Sequence, residues 1–84
     1  MTTVLPIVRR LRHDQFLRFE RPRGLRVRAE RGALWITIDG QADDITIEAG
    51  SCRVFGGDAP VLIGTFRGDA VLSVVTPRLA GPAR

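Results

Sequence analysis

The sequence has few of the residues that stabilise other small domains. It contains one Cys and one His among 84 residues, and it has neither Lys nor Tyr. A single Cys cannot form an internal disulfide, and structural zinc sites usually take four ligands from Cys and His. A chain of this length buries only about 60% of its unfolded surface and is marginally stable without such support. We therefore expect a partner subunit to supply part of the stabilisation.

The sequence also lacks segments that direct a chain into or across a membrane. No run approaches the roughly 18 apolar residues of a transmembrane helix. At the N-terminus, Arg9 and Arg10 follow a short apolar stretch, which is the reverse of the order in a secretory signal. We therefore expect a cytoplasmic protein in which Cys52 is a reduced thiol. Cys52 alternates with Val54 in a short apolar run, so we expect it to face inward as a buried residue.

No catalytic motif is present. A nucleophilic Cys52 has only His13 in the whole chain to serve as its base. Four acidic residues lie close together in the sequence but match neither the calcium-loop spacing nor a carboxylate site with a nucleophile: Asp39, Asp43, Asp44 and Glu48. Arg67–Asp69 is best interpreted as a hairpin turn between two apolar strands. We expect no enzymatic activity, no metal and no other cofactor.

The basic residues are all Arg and are distributed unevenly. The formal net charge is +4. Residues 1–31 hold nine Arg against three acids, a balance of +6, whereas residues 32–84 hold four Arg against six acids, a balance of −2. Such asymmetry is typical of a chain that binds an acidic partner, a second copy of itself or nucleic acid.

Short apolar–polar alternations separated by Gly-containing turns predict an all-β domain. Seven predicted strands share this pattern: Phe16–Glu20, Leu25–Glu30, Ala33–Ile38, Ile45–Glu48, Cys52–Phe55, Val61–Phe66 and Ala70–Thr76. This number of short strands indicates an antiparallel sandwich or barrel. We expect one domain over 14–76. Residues 1–13, an N-terminal arm that is basic at its end, and 77–84, a C-terminal tail, should lie outside the core.

The clearest local prediction is a hairpin with a two-residue turn at Arg31–Gly32. Its register pairs apolar residues on the buried face: Ala29 with Leu34, Val27 with Ile36, and Leu25 with Ile38. The outer face then carries Arg28 opposite Trp35 and Arg26 opposite Thr37. This Arg–Trp platform is a candidate site for single-stranded nucleic acid; alternatively, Trp35 packs under the N-terminal segment or against a second subunit.

Two further features bear on partners. Arg9, Arg10 and Arg12 form a short basic run that is either a phosphate contact or a solvated, oligomer-bridging arm. The predicted strands at 61–66 and 70–76 are apolar on both faces, which indicates that both faces are covered. A homo-oligomer, most simply a symmetric dimer, would cover them.

The middle of the chain resembles a bacterial family of small uncharacterised domains. The shared pattern is Gly-x-aliphatic-Trp-aliphatic-Thr from Gly32 to Thr37, then Asp-x-x-aliphatic-x-x-Gly from Asp44 to Gly50. The resemblance implies a small antiparallel cupin-like β-barrel or jelly roll that dimerises through its sheets. The resemblance further implies that Gly32 and Gly50 are turn residues, that Asp44 is a turn or strand-start cap, and that Trp35 anchors the second face. The His-x-His metal ligands of catalytic cupins are absent, so the resemblance implies no cupin chemistry.

The sequence therefore predicts a non-enzymatic cupin-like domain that oligomerises or binds a partner. Trp35 would be buried in the contact, and Arg–carboxylate pairs would set its register. One alternative is a nucleic-acid-binding protein that uses six arginines: Arg9, Arg10, Arg12, Arg23, Arg26 and Arg28. The other is a barrel that holds a small ligand.

Overall fold

A computed structural model describes residues 6–76 as two antiparallel four-stranded sheets without a helix. The strands are β1 (Ile7–Leu11), β2 (Leu17–Phe19), β3 (Arg26–Arg31), β4 (Ala33–Ile38), β5 (Ile45–Glu48), β6 (Cys52–Val54), β7 (Val61–Thr65) and β8 (Ala70–Val75). Sheet 1 has the order β1-β8-β3-β6, and sheet 2 has the order β2-β7-β4-β5. The all-β prediction is confirmed. The two sheets do not close on each other, so the expected barrel is replaced by a sandwich.

The first four strands pair in order with the last four in reverse, so the chain forms one long antiparallel ribbon that is divided between the two sheets. The first strand pairs with the eighth and the third with the sixth in sheet 1, while the second pairs with the seventh and the fourth with the fifth in sheet 2. Within sheet 1, the pairing of β3 with β8 joins the two strand pairs side by side, and the pairing of β4 with β7 does the same in sheet 2. Consequently β4 and β5 are the only consecutive strands in 6–76 that pair with each other, and every other connection crosses between sheets.

Alternate residues of the strands fill the space between the sheets. Thirteen hydrophobic side chains are buried there: Leu11, Leu25, Val27, Ala29, Leu34, Ile36, Ile47, Phe55, Val61, Ile63, Ala70, Leu72 and Val74. The set includes five of the six residues that the sequence placed on the inward side of the predicted hairpin, and Ile38 packs half-buried against them. Period-two alternation therefore identified the core-facing side of β3 and β4 correctly.

The predicted hairpin itself is wrong. β3 and β4 belong to different sheets, and Gly32 lies at the corner where the chain crosses from one to the other. Gly32 has φ of +72°, and a Cβ atom there would lie 2.9 Å from the carbonyl oxygen of Asp69. A corner and a hairpin bury the same alternate residues, so periodicity could not distinguish them.

Strand β1 lies in the segment that we expected to be an arm outside the core. It pairs with β8 over its five residues, and Leu11 is only 2% exposed. That expectation is wrong for residues 7–11, because β1 is an edge strand on which Arg9 and Arg10 remain exposed and mask the alternation. Residues 1–5 and the tail predicted at 77–84 lie outside the described residues.

Cys52 and the Arg67–Asp69 turn also differ from expectation. Cys52 is exposed because its register partner is Arg28, which faces outward, and Phe55 is the buried residue at this end of β6. Arg67–Asp69 does form a turn, but it connects β7 in sheet 2 to β8 in sheet 1. It is therefore a crossing between sheets and not a hairpin.

Candidate interaction surfaces

The outer face of sheet 2 carries a group of large apolar side chains, which we call the aromatic face: Phe16, Trp35, Leu62 and Phe66. Trp35 lies at its centre, opposite Gly64 on β7 and Thr46 on β5. Leu62 is on the same side two residues before Gly64, and Phe66 follows two residues after it. Phe16, Trp35 and Phe66 are 53%, 36% and 55% exposed.

Gly64 makes this face continuous across three strands. It is buried although its position faces outward, and a Cβ atom on it would lie 2.7 Å from Cε1 of Phe16. The ring of Phe16, which precedes β2, therefore occupies the space that a side chain at position 64 would take. Because Gly64 is the register partner of Trp35, the absence of a side chain extends the apolar surface from β4 to β2.

Acidic residues border the aromatic face on the β5 side. Glu48 is the register partner of Ala33, so it lies on the same outer face. Asp44 is exposed immediately before β5, in the loop that also contains Asp39 and Asp43. The opposite border is less acidic, because Arg18 on β2 pairs with Glu20.

The outer face of sheet 1 carries four arginines, which we call the arginine face: Arg10, Arg26, Arg28 and Arg31. Register places the three arginines of β3 opposite outward-facing residues of β8, with Arg26 next to Val75, Arg28 next to Ser73 and Arg31 next to Val71. Arg10 on β1 borders Val71 from the other side. Residues two apart on a strand are spaced by about 7 Å, so these cations form a short array.

Two of the four arginines are neutralised by neighbouring carboxylates. Arg10 Nη2 donates to Asp69 Oδ2 at 3.1 Å, and Arg28 Nε lies 3.3 Å from Glu30 Oε2. The Glu30 carboxylate also accepts a hydrogen bond from Ser73 Oγ at 2.7 Å. Within 6–76, Arg26 and Arg31 have no ion pair and no side-chain hydrogen bond, so the face keeps a net positive charge.

Asp69 ties the end of β1 to the turn between β7 and β8. Besides the Arg10 guanidinium, its carboxylate accepts a hydrogen bond from the backbone N–H of His13 at 3.2 Å. The hydrogen bond from Arg10, and then that from the His13 backbone, hold the pKa of Asp69 below its ordinary value. Both contacts stabilise the ionised carboxylate.

Asp58 forms a second exposed pair that joins two loops at the other end. Arg23 donates to both of its oxygens, from Nε and from Nη2, at 3.1 Å each. This hydrogen bonding lowers the pKa of Asp58 and raises the pKa of Arg23. Arg23 is thereby occupied away from the arginine face.

The sequence-predicted Arg–Trp platform is not formed. Arg26 and Arg28 lie on the outer face of sheet 1, whereas Trp35 lies on the outer face of sheet 2. The whole thickness of the sandwich separates them, because β3 and β4 belong to different sheets. The arginines and the tryptophan instead define two separate surfaces.

The basic run at the N-terminus is also divided. Arg10 belongs to the arginine face, whereas Arg9 lies on the other side of β1 and lines a cleft between β1 and β2. Arg12 follows β1 and is exposed, and its backbone N–H donates to Gln15 Oε1 at 3.0 Å. Only one of the three arginines therefore shares a surface with Arg26 and Arg28.

The remaining motif residues have structural positions. Gly50 has φ of +96° in the turn between β5 and β6, and its N–H donates to the Ala29 carbonyl at 2.8 Å. Thr37 lies half-buried on the outer face of sheet 2 opposite Leu62. Gly32 and Gly50 both have positive φ values, Gly50 in a turn and Gly32 at the corner between the two sheets.

The interior leaves little room for a ligand. The cleft between β1 and β2 holds about 290 Å³ and is lined mainly by Ile7, Leu17, Phe19 and Val74, with Arg9 and Arg18 also lining it. A second hollow of about 130 Å³ lies beside Phe55. Two larger hollows, of about 370 Å³ beside Arg31 and Asp69 and of about 380 Å³ beside Gly32 and Glu48, are open depressions of the surface. Ligand pockets usually measure about 300–1,000 Å³ and enclose most of the ligand.

Sequence reasoning missed Phe16, Phe66 and Arg31 as surface-forming residues. Phe16 and Phe66 stand at the ends of predicted strands, and their positions depend on the pairing of β7 with both β2 and β4. The sequence pattern places Arg31 in a turn, whereas in the structure a register shift between Ala29 and Arg31 extends β3 through it. The sequence holds one signal for this surface: three of the five aromatic residues, Phe16, Phe55 and Phe66, stand at the ends of predicted strands.

Among residues 6–76, no three His, Cys, Asp or Glu side chains lie close enough to hold a metal ion. No helix long and apolar enough to cross a membrane occurs in the same part of the chain.

Comparison with known proteins indicates only the fold. No protein-family model and no curated protein matches this sequence. A solved structure of a conserved protein of unknown function from Streptococcus pyogenes, SPY1581, is similar, with a TM-score of 0.66 and 24% sequence identity. The match covers 84% of this chain and 61% of the S. pyogenes protein, so this chain spans less than two thirds of its length. The similarity supports the all-β architecture described above.

Proposed function

We propose that this chain is a non-enzymatic, self-associating domain and that the aromatic face is its contact with a second copy. The observation that carries the proposal is the alignment of Trp35, Phe16, Leu62 and Phe66 on one outer face, with Gly64 leaving room for the Phe16 ring. Contiguous exposed apolar patches mark interaction sites, and Trp is the residue most enriched among those that dominate binding energy.

A second copy is the occupant that the charges favour. The aromatic face is bordered by the carboxylates of Glu48 and Asp44, and the same chain carries an arginine face of opposite charge. Each copy thus holds both members of a complementary pair, which speeds encounter and sets register. The smallest such assembly is a homodimer.

Replacing Trp35 with Ala tests the proposal. We expect Trp35→Ala to weaken self-association by about 2 kcal/mol or more, the typical cost at a central Trp. The measurement is the molar mass by sedimentation equilibrium over a range of protein concentrations. Ile7→Ala is the matched control, because Ile7 is also an exposed large apolar residue but lines the cleft at β1.

The outcome must be separated from loss of the fold. Phe66→Ala removes a more exposed part of the same face and serves where Trp35→Ala unfolds. The proposal is abandoned if the wild-type protein is monomeric throughout, or if both aromatic-face variants associate as tightly as the wild type and the Ile7 variant.

We also propose that the fold is the cupin-like jelly roll implied by the resemblance to small bacterial domains. The order β1-β8-β3-β6 over β2-β7-β4-β5 supports it, because eight strands wound as two Greek keys pair in this way. An experimental structure in which β1 paired with a strand other than β8 would contradict it.

A cytoplasmic location stays part of the proposal, supported by the exposed free thiol of Cys52.

Nucleic-acid binding remains a second candidate because the fold collects Arg10, Arg26, Arg28 and Arg31 on one surface. It predicts retention of an oligonucleotide with affinity that falls steeply as salt is raised. The small-ligand alternative has less support, since the two hollows that reach the usual size of a ligand pocket are open surface depressions and not enclosed cavities.

A further inference from the structure

We infer that the surface that covers the aromatic face is the arginine face of another copy, so that copies join head to tail. The inference rests on the proposed function, because it names the surface that the aromatic face contacts. The two faces lie on opposite outer sides of the sandwich, so one copy can use both at once. Such a contact between unlike surfaces continues into a chain or closes into a ring.

Charge opposes contacts between like faces. Two arginine faces brought together would place eight guanidinium groups against only four carboxylates, since each face holds four Arg with Asp69 and Glu30. Two aromatic faces would bring two Glu48 side chains and their acidic loops toward each other. Stacking unlike faces instead sets Arg26 and Arg31, which have no acidic partner in 6–76, against that acidic border.

The side chains between the charges also match. Val8, Val71 and Val75 lie among the arginines on sheet 1, and Val8 is 61% exposed. They offer apolar area to Trp35 and the phenylalanines. Guanidinium groups stack well on aromatic rings, with a gain of about 0.5–1 kcal/mol at exposed sites and more when the pair is desolvated. Within one chain, Arg67 lies over the ring of its sequence neighbour Phe66, 5.7 Å from the ring centroid.

Sheet geometry permits the contact. Two β-sheets pack face to face at about 10 Å with their strands nearly aligned. Both outer faces are built on four strands and are crossed by short side chains, Ser73 and Val71 on one and Gly64 and Thr37 on the other. No helix within the described ranges covers either face.

Nucleic acid is the competing occupant of the arginine face, and the side chains there favour protein. Proteins that hold single strands combine cations with aromatic rings on which bases stack. In the part of the chain that the structure describes, the arginine face has no aromatic side chain: its cations lie beside Val, Ser and Cys residues, among them Val54 and Cys52 on β6, and beside the carboxylates of Glu30 and Asp69. An oligonucleotide would find phosphate contacts but no ring to stack on.

The test is complementation between two variants, each of which has lost a different face. Trp35→Ala keeps the arginine face, and the double variant Arg26→Glu, Arg31→Glu keeps the aromatic face. We expect each variant alone to self-associate about tenfold or more weakly than the wild type, measured as a higher dissociation constant. Mixed in equal amounts, they should form a one-to-one heterodimer and nothing larger, because a single intact pair of faces remains.

The matched control is Arg9→Glu, Arg12→Glu, which changes the charge equally away from both faces and should associate as the wild type does.

The outcomes separate this inference from the proposed function. If the double Arg variant associates as the wild type does while Trp35→Ala does not, the aromatic face contacts its own kind; the proposed function stands and the head-to-tail inference fails. If neither variant weakens association, both fail. If both weaken it and the mixture forms no heterodimer, the two faces do not contact each other.

If nuclease treatment abolishes assembly and a labelled single-stranded oligonucleotide restores it, the arginine face binds nucleic acid, which also overturns the inference. Phe66→Ala replaces Trp35→Ala in the mixture if circular dichroism shows the latter to be unfolded.

Discussion

Gly32 shows how a single position determines the connection between the sheets. Its φ of +72° lies in a region that residues with a Cβ atom rarely adopt, and the Asp69 carbonyl and Ala70 pack against it. The glycine therefore meets two separate requirements, a backbone conformation and a close approach of β8. A positive φ alone could be met by Asn or Asp at a modest cost, whereas the close approach of β8 opposes any residue with a Cβ atom.

Gly32→Ala should therefore destabilise the fold more than Gly50→Ala. Gly50 also has a positive φ, but a Cβ there would meet nothing within 4 Å. We expect a loss of about 1–2 kcal/mol at position 50 from conformation alone, and a larger loss at position 32 because backbone atoms must also move. Urea unfolding monitored by circular dichroism measures both. Equal losses would show that the close approach at Gly32 has no energetic effect.

Asp69 contributes stability that depends on pH. Its pKa is lowered in the folded protein by Arg10 and by the His13 N–H, so its contribution is fully present above the unfolded pKa of about 3.9. The contribution is lost as the pH falls through the lower folded pKa. We expect Asp69→Asn to unfold at lower urea concentration than the wild type at pH 7, with the difference shrinking toward pH 2. Asp43→Asn, which removes an exposed acid from a loop, is the control, and a difference that persists unchanged in acid would contradict the assignment.

Strand β1 illustrates what a local sequence pattern does not reveal about a strand. The bounds of β4 and β5 follow from alternation alone, because each has apolar neighbours on one side and a turn at both ends. β1 has consecutive charges at Arg9 and Arg10, and its place beside β8 depends on a strand about 60 residues away in sequence. Cys52 is exposed where the pattern predicts burial, because β6 is only three residues long and its outward side carries the more apolar pair, Cys52 and Val54.

Leu11→Ala tests whether β1 belongs to the core. Leu11 is 2% exposed and faces the interior next to β8, so truncation should cost about 2–5 kcal/mol. Val8→Ala on the outward side of the same strand, 61% exposed, should change the free energy of unfolding by no more than about 0.5 kcal/mol. Comparable small effects for both variants would indicate that β1 is an undocked arm, as the sequence pattern first suggested.

The whole molecule is defined by pairings that the sequence pattern did not reveal. Alternation identified which residues of β3 and β4 face inward, but the separation of Arg26 and Trp35 onto opposite outer faces follows only from the crossing at Gly32. A predicted mixed Arg–Trp platform thus becomes two faces, one basic and one aromatic. The same residue types are involved in both interpretations. Their separation is what makes a contact between two copies chemically complementary.

If the aromatic face becomes covered when copies associate, the single Trp of the chain reports on it directly. Trp35 is 36% exposed in the isolated chain and lies at the centre of that face. The measurement is acrylamide quenching of its fluorescence over a dilution series, with molar mass recorded on the same samples. We expect quenching to increase on dilution in step with the fall in mass, because Trp35 is uncovered as copies separate. Quenching that stays constant while the mass falls would contradict it.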